Sequence, residues 1–181
     1  MRTSLDLKLR LKLYGINQET FYHAGVFWRA ILPEFDEIIN RFYAHILEHP
    51  KFREFIPDPG KIDRLKVTQK EHWDRLFNSK FDDDYVRQVI ATAEAHIKIR
   101  MPAYFYMAAY SVFLDELHAA AYRIALLEGN DVVATVKAIN KLVVIDMDLT
   151  LSVYMKELVD LNSNQARQPI PPPPGMCRSL S

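Results

Sequence analysis

The chain has 181 residues, with 23 Lys and Arg against 23 Asp and Glu, and 49% of its residues are hydrophobic. A chain of this length forms one domain and buries roughly 70% of the surface that its unfolded state exposes. The zero net charge argues against nucleic acid or an anionic membrane as a partner, because both favour a basic protein surface. The composition therefore indicates one domain with a full core that can enclose a ligand.

Cysteine and glycine usage excludes further classes of protein. The single cysteine, Cys177, excludes an intrachain disulfide framework and a cysteine-based zinc site, and it suits a reducing compartment. The five glycines are scattered, so no phosphate-binding loop is present. No apolar run approaches the roughly 20 residues of a membrane span, and residues 1–14 carry charges where a signal peptide needs an apolar core. We therefore expect a cytoplasmic protein.

The first predicted segment, residues 1–16, is an N-terminal extension whose conformation the pattern leaves open. Five leucines between Leu5 and Leu13 alternate with charged residues, and this period of two favours a strand. A single strand has no partner in this chain, however, and leucine is equally suited to a helix. Residues 17–161 form the predicted domain, and the proline-rich residues 162–181 form a predicted flexible linker or tail.

Helical periodicity dominates residues 17–161, so the predicted fold class is all-α. Prolines and capping residues mark the ends of the predicted helices. The three Pro and Gly residues within 51–60 predict a loop there. The predicted helices are 17–31 with Asn17 as N-cap, 33–49 opened by Pro33, 61–78, 85–100 preceded by Asp82, 102–128 ended by Gly129, and 131–161 capped by Asp131.

The last predicted helix is apolar on two stripes. One stripe contains Ile139 and Val143, and the other contains Leu142, Ile145 and Leu149. One core does not easily cover both stripes, so the pattern favours a second subunit packed against this helix. The alternative is a helix buried within a larger core of its own chain.

One histidine lies on the apolar face of the helix predicted over 85–100. Tyr85, Val89, Thr92, His96 and Ile99 recur at spacings of 4, 3, 4 and 3, which points His96 inward. The small side chains around it, including Thr92, leave space beside the imidazole. Either His96 is a core histidine with a hydrogen-bond partner, or it binds a group that fills this space.

The residues after His96 distinguish these alternatives. The segment Ala95–Met107, with the sequence AHIKIRMPAYFYM, resembles the region around the proximal histidine of globin-coupled sensors, which are bacterial haem proteins of the globin fold. The similarity extends over about residues 17–160 and includes His72-Trp73. Arg100 stands where the family often has glycine, and the turn looks one residue shorter. The resemblance implies the sensor variant of the globin fold, a haem b cofactor, and two long C-terminal helices that form a bundle across a homodimer.

The resemblance also implies roles for individual residues. Haem iron needs one neutral imidazole on its proximal side, and His96 is the expected metal ligand. That imidazole is oriented by a partner on its other ring nitrogen. The family can place a tyrosine from the next helix near this histidine, which makes Tyr106 the candidate partner. The alternative is a core-edge tyrosine with a solvated hydroxyl.

Further candidates lie on the opposite side of the haem. The family carries a tyrosine that donates a hydrogen bond to the bound oxygen, and Tyr43 matches its position on a largely apolar helix stripe. Thr68 is the candidate second donor, and the bulk of Leu65 is expected to control water entry. Thr92 completes the predicted cofactor-binding set. Structural tyrosine and exposed threonine remain the alternatives for Tyr43 and Thr68.

The remaining histidines have weaker functional signals. His45 and His49 are four residues apart, which suits zinc, but no third ligand has a recognisable spacing, so a solvated helix face is the preferred interpretation. His72 shares a helix face with Leu65, and we expect it at the rim of the pocket, with coordination of the ligand-free iron as the alternative.

The resemblance implies a dioxygen sensor domain, with CO and NO as competing ligands. Such a domain regulates an output module, and a diguanylate cyclase is the first expectation, before a histidine kinase. Because residues 1–181 contain no motif of these outputs, the segment is not expected to be an enzyme itself. Two other functions remain: a haem enzyme, such as a dioxygenase or a peroxidase-like globin, and a cofactor-free helical dimerisation module.

Overall fold

The computed structural model describes residues 6–56, 58–78 and 81–166. Within these ranges all regular structure is helical, which agrees with the predicted class. Two short 3₁₀ turns, Leu32–Glu34 and Pro59–Lys61, separate some of the helices. The α-helices are α1 Leu7–Leu13, α2 Gln18–Ile31, α3 Phe35–Glu48, α4 Pro50–Phe55, α5 Ile62–Asn78, α6 Asp83–Lys98, α7 Ala103–Glu128 and α8 Val132–Ala166.

The predicted helix ends are confirmed where a capping residue marks them. The Asn17 side chain accepts a hydrogen bond from the Thr20 backbone N–H at 3.0 Å, at the start of α2. Asp82 accepts from the Tyr85 N–H at 3.0 Å and so begins α6. At the end of α7, Gly129 adopts the left-handed conformation, with a φ of 72°. These ends were predictable because each depends on residues next to one another in the chain.

Two segments differ from the prediction because of their tertiary contacts or turn chemistry. Residues 50–55 form α4 instead of a loop: Pro50 is accepted at the first helical position, and the Phe52 ring packs against Phe105 at 4.8 Å. The start of α3 also differs from the prediction. Pro33 lies in a 3₁₀ turn, so α3 begins only at Phe35.

The N-terminal segment is helical, which resolves the open question in favour of helix. Asp6 accepts a hydrogen bond from the Leu9 N–H at 3.0 Å and opens α1, and Gly15 closes it with a φ of 60°. Leu7 and Leu11, four residues apart, pack against the core. The alternating leucines were therefore misleading, because Leu9 and Leu13 are exposed and take no part in this contact.

The last helix extends further than expected. It runs to Ala166 instead of about residue 161, and its 35 residues give a length of about 52 Å. The first residues of the predicted linker are therefore helical. The rest of that predicted linker, residues 167–181, lies outside the described residues.

The core is built around α8 and a group of stacked aromatic rings. α8 packs against α2, α6, α7 and, to a smaller extent, α5. Trp28 and Trp73 each stack with Phe77, at centroid distances of 5.3 and 6.0 Å. Although α5 and α6 are consecutive in the chain, they do not pack against each other along their length. Each of these two helices packs against α8 instead.

The central part of both apolar stripes of α8 is covered within the single chain, whereas Val132, Val136 and Val153 are partly exposed. Ile139, Val143, Leu142, Ile145 and Leu149 are all fully buried. The stripes thus fit the alternative interpretation of a helix buried in its own core, and they do not by themselves require a second subunit. Within the described ranges, no helix has the length and apolar character needed to cross a membrane.

Candidate functional site

The end of α6 holds the backbone of His96 in place. The N–H of Met101 donates to the carbonyl of His96 at 3.0 Å, and the N–H of Arg100 donates to the carbonyl of Ile97 at 2.8 Å. These two bonds form a Schellman motif, in which the first residue after the helix cap adopts a left-handed conformation. Arg100 does so, with a φ of 57°. The candidate ligand therefore sits in the last turn of a helix whose end is firmly closed.

The conformation of Arg100 accounts for a departure noted in the sequence. Glycine adopts positive φ without steric cost, whereas other residues in that region carry a strain of about 1–3 kcal/mol. The arginine changes the energy of the turn without abolishing its hydrogen bonds.

The His96 imidazole is held in its neutral form. Burial lowers the pKa of His96 below its ordinary value of 6.5, the charge of nearby His72 lowers it further, and the backbone carbonyl of Thr92 acts in the opposite direction. Its Nδ1 atom is buried and makes no hydrogen bond of normal geometry among the described residues, so the Thr92 carbonyl acts on the ring as a nearby dipole. A neutral imidazole with one unpartnered buried nitrogen is a suitable ligand for a metal centre.

Tyr106 lies beside His96 but does not bond to it. Their ring centroids are 5.6 Å apart, and no hydrogen bond joins them. Tyr106 is only 4% exposed, so the interpretation as a core-edge tyrosine with a solvated hydroxyl is wrong. Burial and the charge of Asp146 raise the pKa of Tyr106, while the hydroxyls of Thr150 and Tyr110 interact with its phenol oxygen. The contact with His96 is therefore made by the ring.

Tyr43 lies in α3 and has a free hydroxyl. The side chain is 6% exposed, and its hydroxyl makes no hydrogen bond to another described residue. Burial raises the pKa of Tyr43 to about 12, so the phenol keeps its proton at neutral pH. The ring packs edge-on against Phe42 at 5.1 Å. The result is a positioned donor without a protein acceptor.

The other three candidates are surface residues of α5 and α6. Leu65 is 36% exposed, and Thr68 and Thr92 are also exposed. The Thr68 hydroxyl donates to the Arg64 carbonyl of its own helix at 3.1 Å. The structure thus brings His96, Thr92 and Tyr106 together around the end of α6, whereas Tyr43, Leu65 and Thr68 belong to α3 and α5, which pack against each other.

These features fit a haem better than a bare metal ion. Among the described residues, no group of three or more His, Cys, Asp and Glu side chains could hold a metal ion. His45 and His49 lie with ring centroids 5.7 Å apart and gain no third ligand from the fold. A haem instead needs one imidazole between two divergent helices with apolar surface. His96 and the exposed apolar side chains Leu65 and Ile99 meet that need.

Two surface cavities lie away from these residues. A cavity of about 560 Å³ lies on the other face of α5, between Ile39 and Lys70, and one of about 350 Å³ lies between His23 and Lys137. None of the six candidate residues lines either cavity. The candidate site is defined by its side chains and not by these cavities.

A buried polar cluster that the sequence pattern did not predict lies between four helices. His72 was expected at the pocket rim, but its Nε2 lies 3.1 Å from Asp146 Oδ2 and 3.1 Å from the Tyr110 hydroxyl oxygen. The hydroxyls of Tyr85 and Tyr110 both donate to Asp146. One signal was present in the sequence, because Asp146 is a charged residue within the apolar stripes of α8.

Comparison with solved structures identifies the class of protein. The chain is similar to the globin domain of the Geobacter sulfurreducens globin-coupled sensor, with a TM-score of 0.73 and 18% sequence identity over 81% of this chain and 96% of that chain. At this level of identity the similarity shows the fold, which is a globin fold of the sensor type.

The family follows from the sequence match. The family model described as Protoglobin matches residues 3–160, so the chain belongs to the Protoglobin family. The matched region begins before α1, which places the segment expected to be an extension within the family's span. Membership in this family implies haem binding, and it confirms the resemblance that the residues around His96 indicated.

Proposed function

We propose that this segment is a haem-based gas-sensing globin domain that binds dioxygen, with CO and NO as competing ligands. Its cofactor is haem b, and His96 is the iron ligand. The observation that supports this best is the neutral, half-buried imidazole of His96, with its unpartnered Nδ1, at the firmly closed end of α6.

The protein's own residues then have distinct tasks. A bound haem supplies an iron that takes up a diatomic gas. Tyr43 donates a hydrogen bond toward that gas, and a net bond of about 1–1.5 kcal/mol changes affinity roughly tenfold. Such a bond favours dioxygen, which becomes polarised on binding, over the less polar CO. Leu65 limits water entry, Thr92 lines the cofactor, and Thr68 becomes a second donor if its hydroxyl turns away from the Arg64 carbonyl.

The direct test is the absorption spectrum of protein purified with an ample porphyrin supply. We expect a Soret band that moves on addition of CO, and its loss in His96→Gly. Imidazole added to His96→Gly should restore the band, because it replaces the missing ligand. His45→Ala, on an exposed histidine, serves as the control and should keep the wild-type spectrum. A colourless wild-type protein would leave only a cofactor-free helical module.

We further propose a homodimer formed through α7 and α8. Apolar side chains stay exposed where these helices meet, and Leu126 is 88% exposed in the single chain. Tyr122, Leu127 and Val133 add to the same patch, and exposed apolar patches of this kind are typical of protein interfaces. Light scattering should give the mass of two chains, and Leu126→Lys with Leu127→Lys should give the mass of one. An unchanged dimer in that variant would exclude this patch.

The last part of the proposal concerns signalling to an output module. We infer that gas binding in the cytoplasm regulates an output module beyond residue 181 of a longer protein, with a diguanylate cyclase as the first expectation. This segment contributes binding and does not catalyse the output reaction. The coding sequence after Ser181 tests this expectation directly.

A further inference from the structure

The Asp146 cluster, which comprises His72, Tyr85, Tyr110 and Asp146, joins four helices around one buried carboxylate. Asp146 on α8 is 0% exposed, and the other members lie on α5, α6 and α7. A buried carboxylate without partners costs several kcal/mol. Here three side chains bond to it, so the cluster stabilises a charge at the centre of the helix packing.

The partners keep Asp146 ionised. Burial by itself raises the pKa of Asp146, but the charge of His72 and the hydrogen bonds from His72, Tyr110 and Tyr85 outweigh it, and the net effect lowers that pKa. An ionised Asp146 fixes the orientation of the tyrosine hydroxyls around it, because each hydroxyl has one proton and donates it to the carboxylate. Tyr110 uses its proton on Asp146, which leaves its oxygen as an acceptor.

A short chain of contacts leads from this anion to the candidate haem ligand. The ring of Tyr110 lies 4.7 Å from the ring of Tyr106, and their hydroxyls interact. Tyr106 in turn lies 5.6 Å from the His96 ring, and its hydroxyl also interacts with Thr150, one helical turn after Asp146 on α8. Asp146 is thus joined to His96 by the hydrogen bond from Tyr110 and by two successive ring contacts, Tyr110 with Tyr106 and Tyr106 with His96.

We propose that Asp146 is a positioning residue for the haem ligand: through Tyr110 it holds the Tyr106 ring against His96, and so it ties the proximal histidine to α8. This inference rests on the proposed function, because it needs a haem at His96. The contacts define a route from the ligand to α8. A change in the tilt of the His96 ring would press on Tyr106, and Tyr106 packs against Tyr110, which is bonded to Asp146 on α8.

The cluster offers a matched pair of variants. Tyr85→Phe and Tyr110→Phe each remove one buried hydroxyl that donates to Asp146. Tyr110 makes a ring contact with Tyr106 at 4.7 Å, whereas the ring contact of Tyr85 is with Phe81 at 4.5 Å. A purely structural cluster predicts similar effects of the two substitutions. A positioning role predicts that Tyr110→Phe alone alters the environment of His96.

The experiment measures the iron–histidine stretching band by resonance Raman spectroscopy and the CO dissociation rate, in ferrous holoprotein. We expect Asp146→Asn and Tyr110→Phe to shift the band and to change the rate by about threefold or more. This threefold change is smaller than the 10–100-fold effect typical of a residue bonded directly to a metal ligand, because Tyr106 lies between Tyr110 and His96. Tyr85→Phe should leave both readouts near their wild-type values.

Asp148→Asn is the control on α8, because Asp148 pairs with Arg10 on α1 and lies outside the cluster. If Asp146→Asn does not fold, the comparison of Tyr110→Phe with Tyr85→Phe decides. A wild-type spectrum without an iron–histidine band refutes the proposed function itself. A normal wild-type band that neither Asp146→Asn nor Tyr110→Phe alters refutes the positioning role alone.

Discussion

Tyrosines occupy two contrasting environments in this globin domain. The hydroxyl of Tyr43 on α3 has no acceptor among the described residues, whereas those of Tyr85 and Tyr110 donate to a fully buried carboxylate. The first arrangement leaves a donor available to a ligand, and the second uses its donors to hold helices together. The same side chain thus keeps an unused donor in one region and supports the helix packing in the other.

The carboxylate at the centre of the second region should give the largest effect. Asp146→Leu removes the shared acceptor and leaves two buried hydroxyls and an imidazole without it. We expect the free energy of unfolding to fall by about 3–5 kcal/mol, measured by denaturant titration of the haem-free protein. Asp148→Leu breaks a part-exposed ion pair and should cost about 1 kcal/mol or less. Equal losses in the two variants would contradict the central role of Asp146.

The next largest effect on the free energy of unfolding comes from replacing tyrosine with phenylalanine in each region. Tyr110→Phe leaves a buried charge short of a donor and should lower the free energy of unfolding by about 1–3 kcal/mol. Tyr43→Phe removes a hydroxyl that has no partner, so the haem-free protein should stay within about 0.5 kcal/mol of the wild type. Thermal and denaturant unfolding measure both values. A Tyr43→Phe variant as unstable as Tyr110→Phe would show a structural role for Tyr43.

The order should reverse when gas binding is measured. Tyr43→Phe should raise the dioxygen dissociation rate roughly tenfold, because a net hydrogen bond of about 1–1.5 kcal/mol is lost. The CO dissociation rate should change much less in this variant. Stopped-flow displacement of dioxygen provides the measurement. An unchanged rate would remove the donor role assigned to Tyr43.

The smallest effect concerns the turn after His96. Arg100→Gly relieves the strain of positive φ but adds chain entropy to the unfolded state, so we expect a net gain of about 1 kcal/mol or less. Arg100→Ala, with the same backbone restriction as arginine, should give no such gain. Comparison of the two unfolding midpoints separates backbone strain from loss of the guanidinium charge. A larger gain in the alanine variant would indicate that the charge, and not φ, destabilises the turn.

The two regions also differ in how far they could be predicted. Both Tyr43 and His96 were predicted as site residues from apolar helix faces, His96 together with the motif that follows it and Tyr43 through the family resemblance. The Asp146 cluster was missed because His72, Tyr85, Tyr110 and Asp146 are separated by up to 74 residues. Only the packing of four helices brings them together, and no local spacing reports it.

The same division explains the errors in the helices. Residues 51–60 were predicted as a loop from Pro57, Pro59 and Gly60, but 50–55 are helical and Phe52 gains a core contact with Phe105 that the local pattern does not contain. The helical α1 was locally encoded, since Asp6 and Gly15 mark its ends, but the leucine alternation obscured that signal. Capping chemistry was the more reliable indicator because it acts within one turn of chain.

The sequence by itself determined the all-α class, most helix ends and the inward face of His96, because periodicity and capping are properties of neighbouring residues. Tertiary structure alone decided that the central residues of the α8 stripes are buried within one chain, that His72 bonds to Asp146, and that α5 and α6 both pack against α8. These features depend on contacts between distant residues, whose energies exist only once the helices are packed.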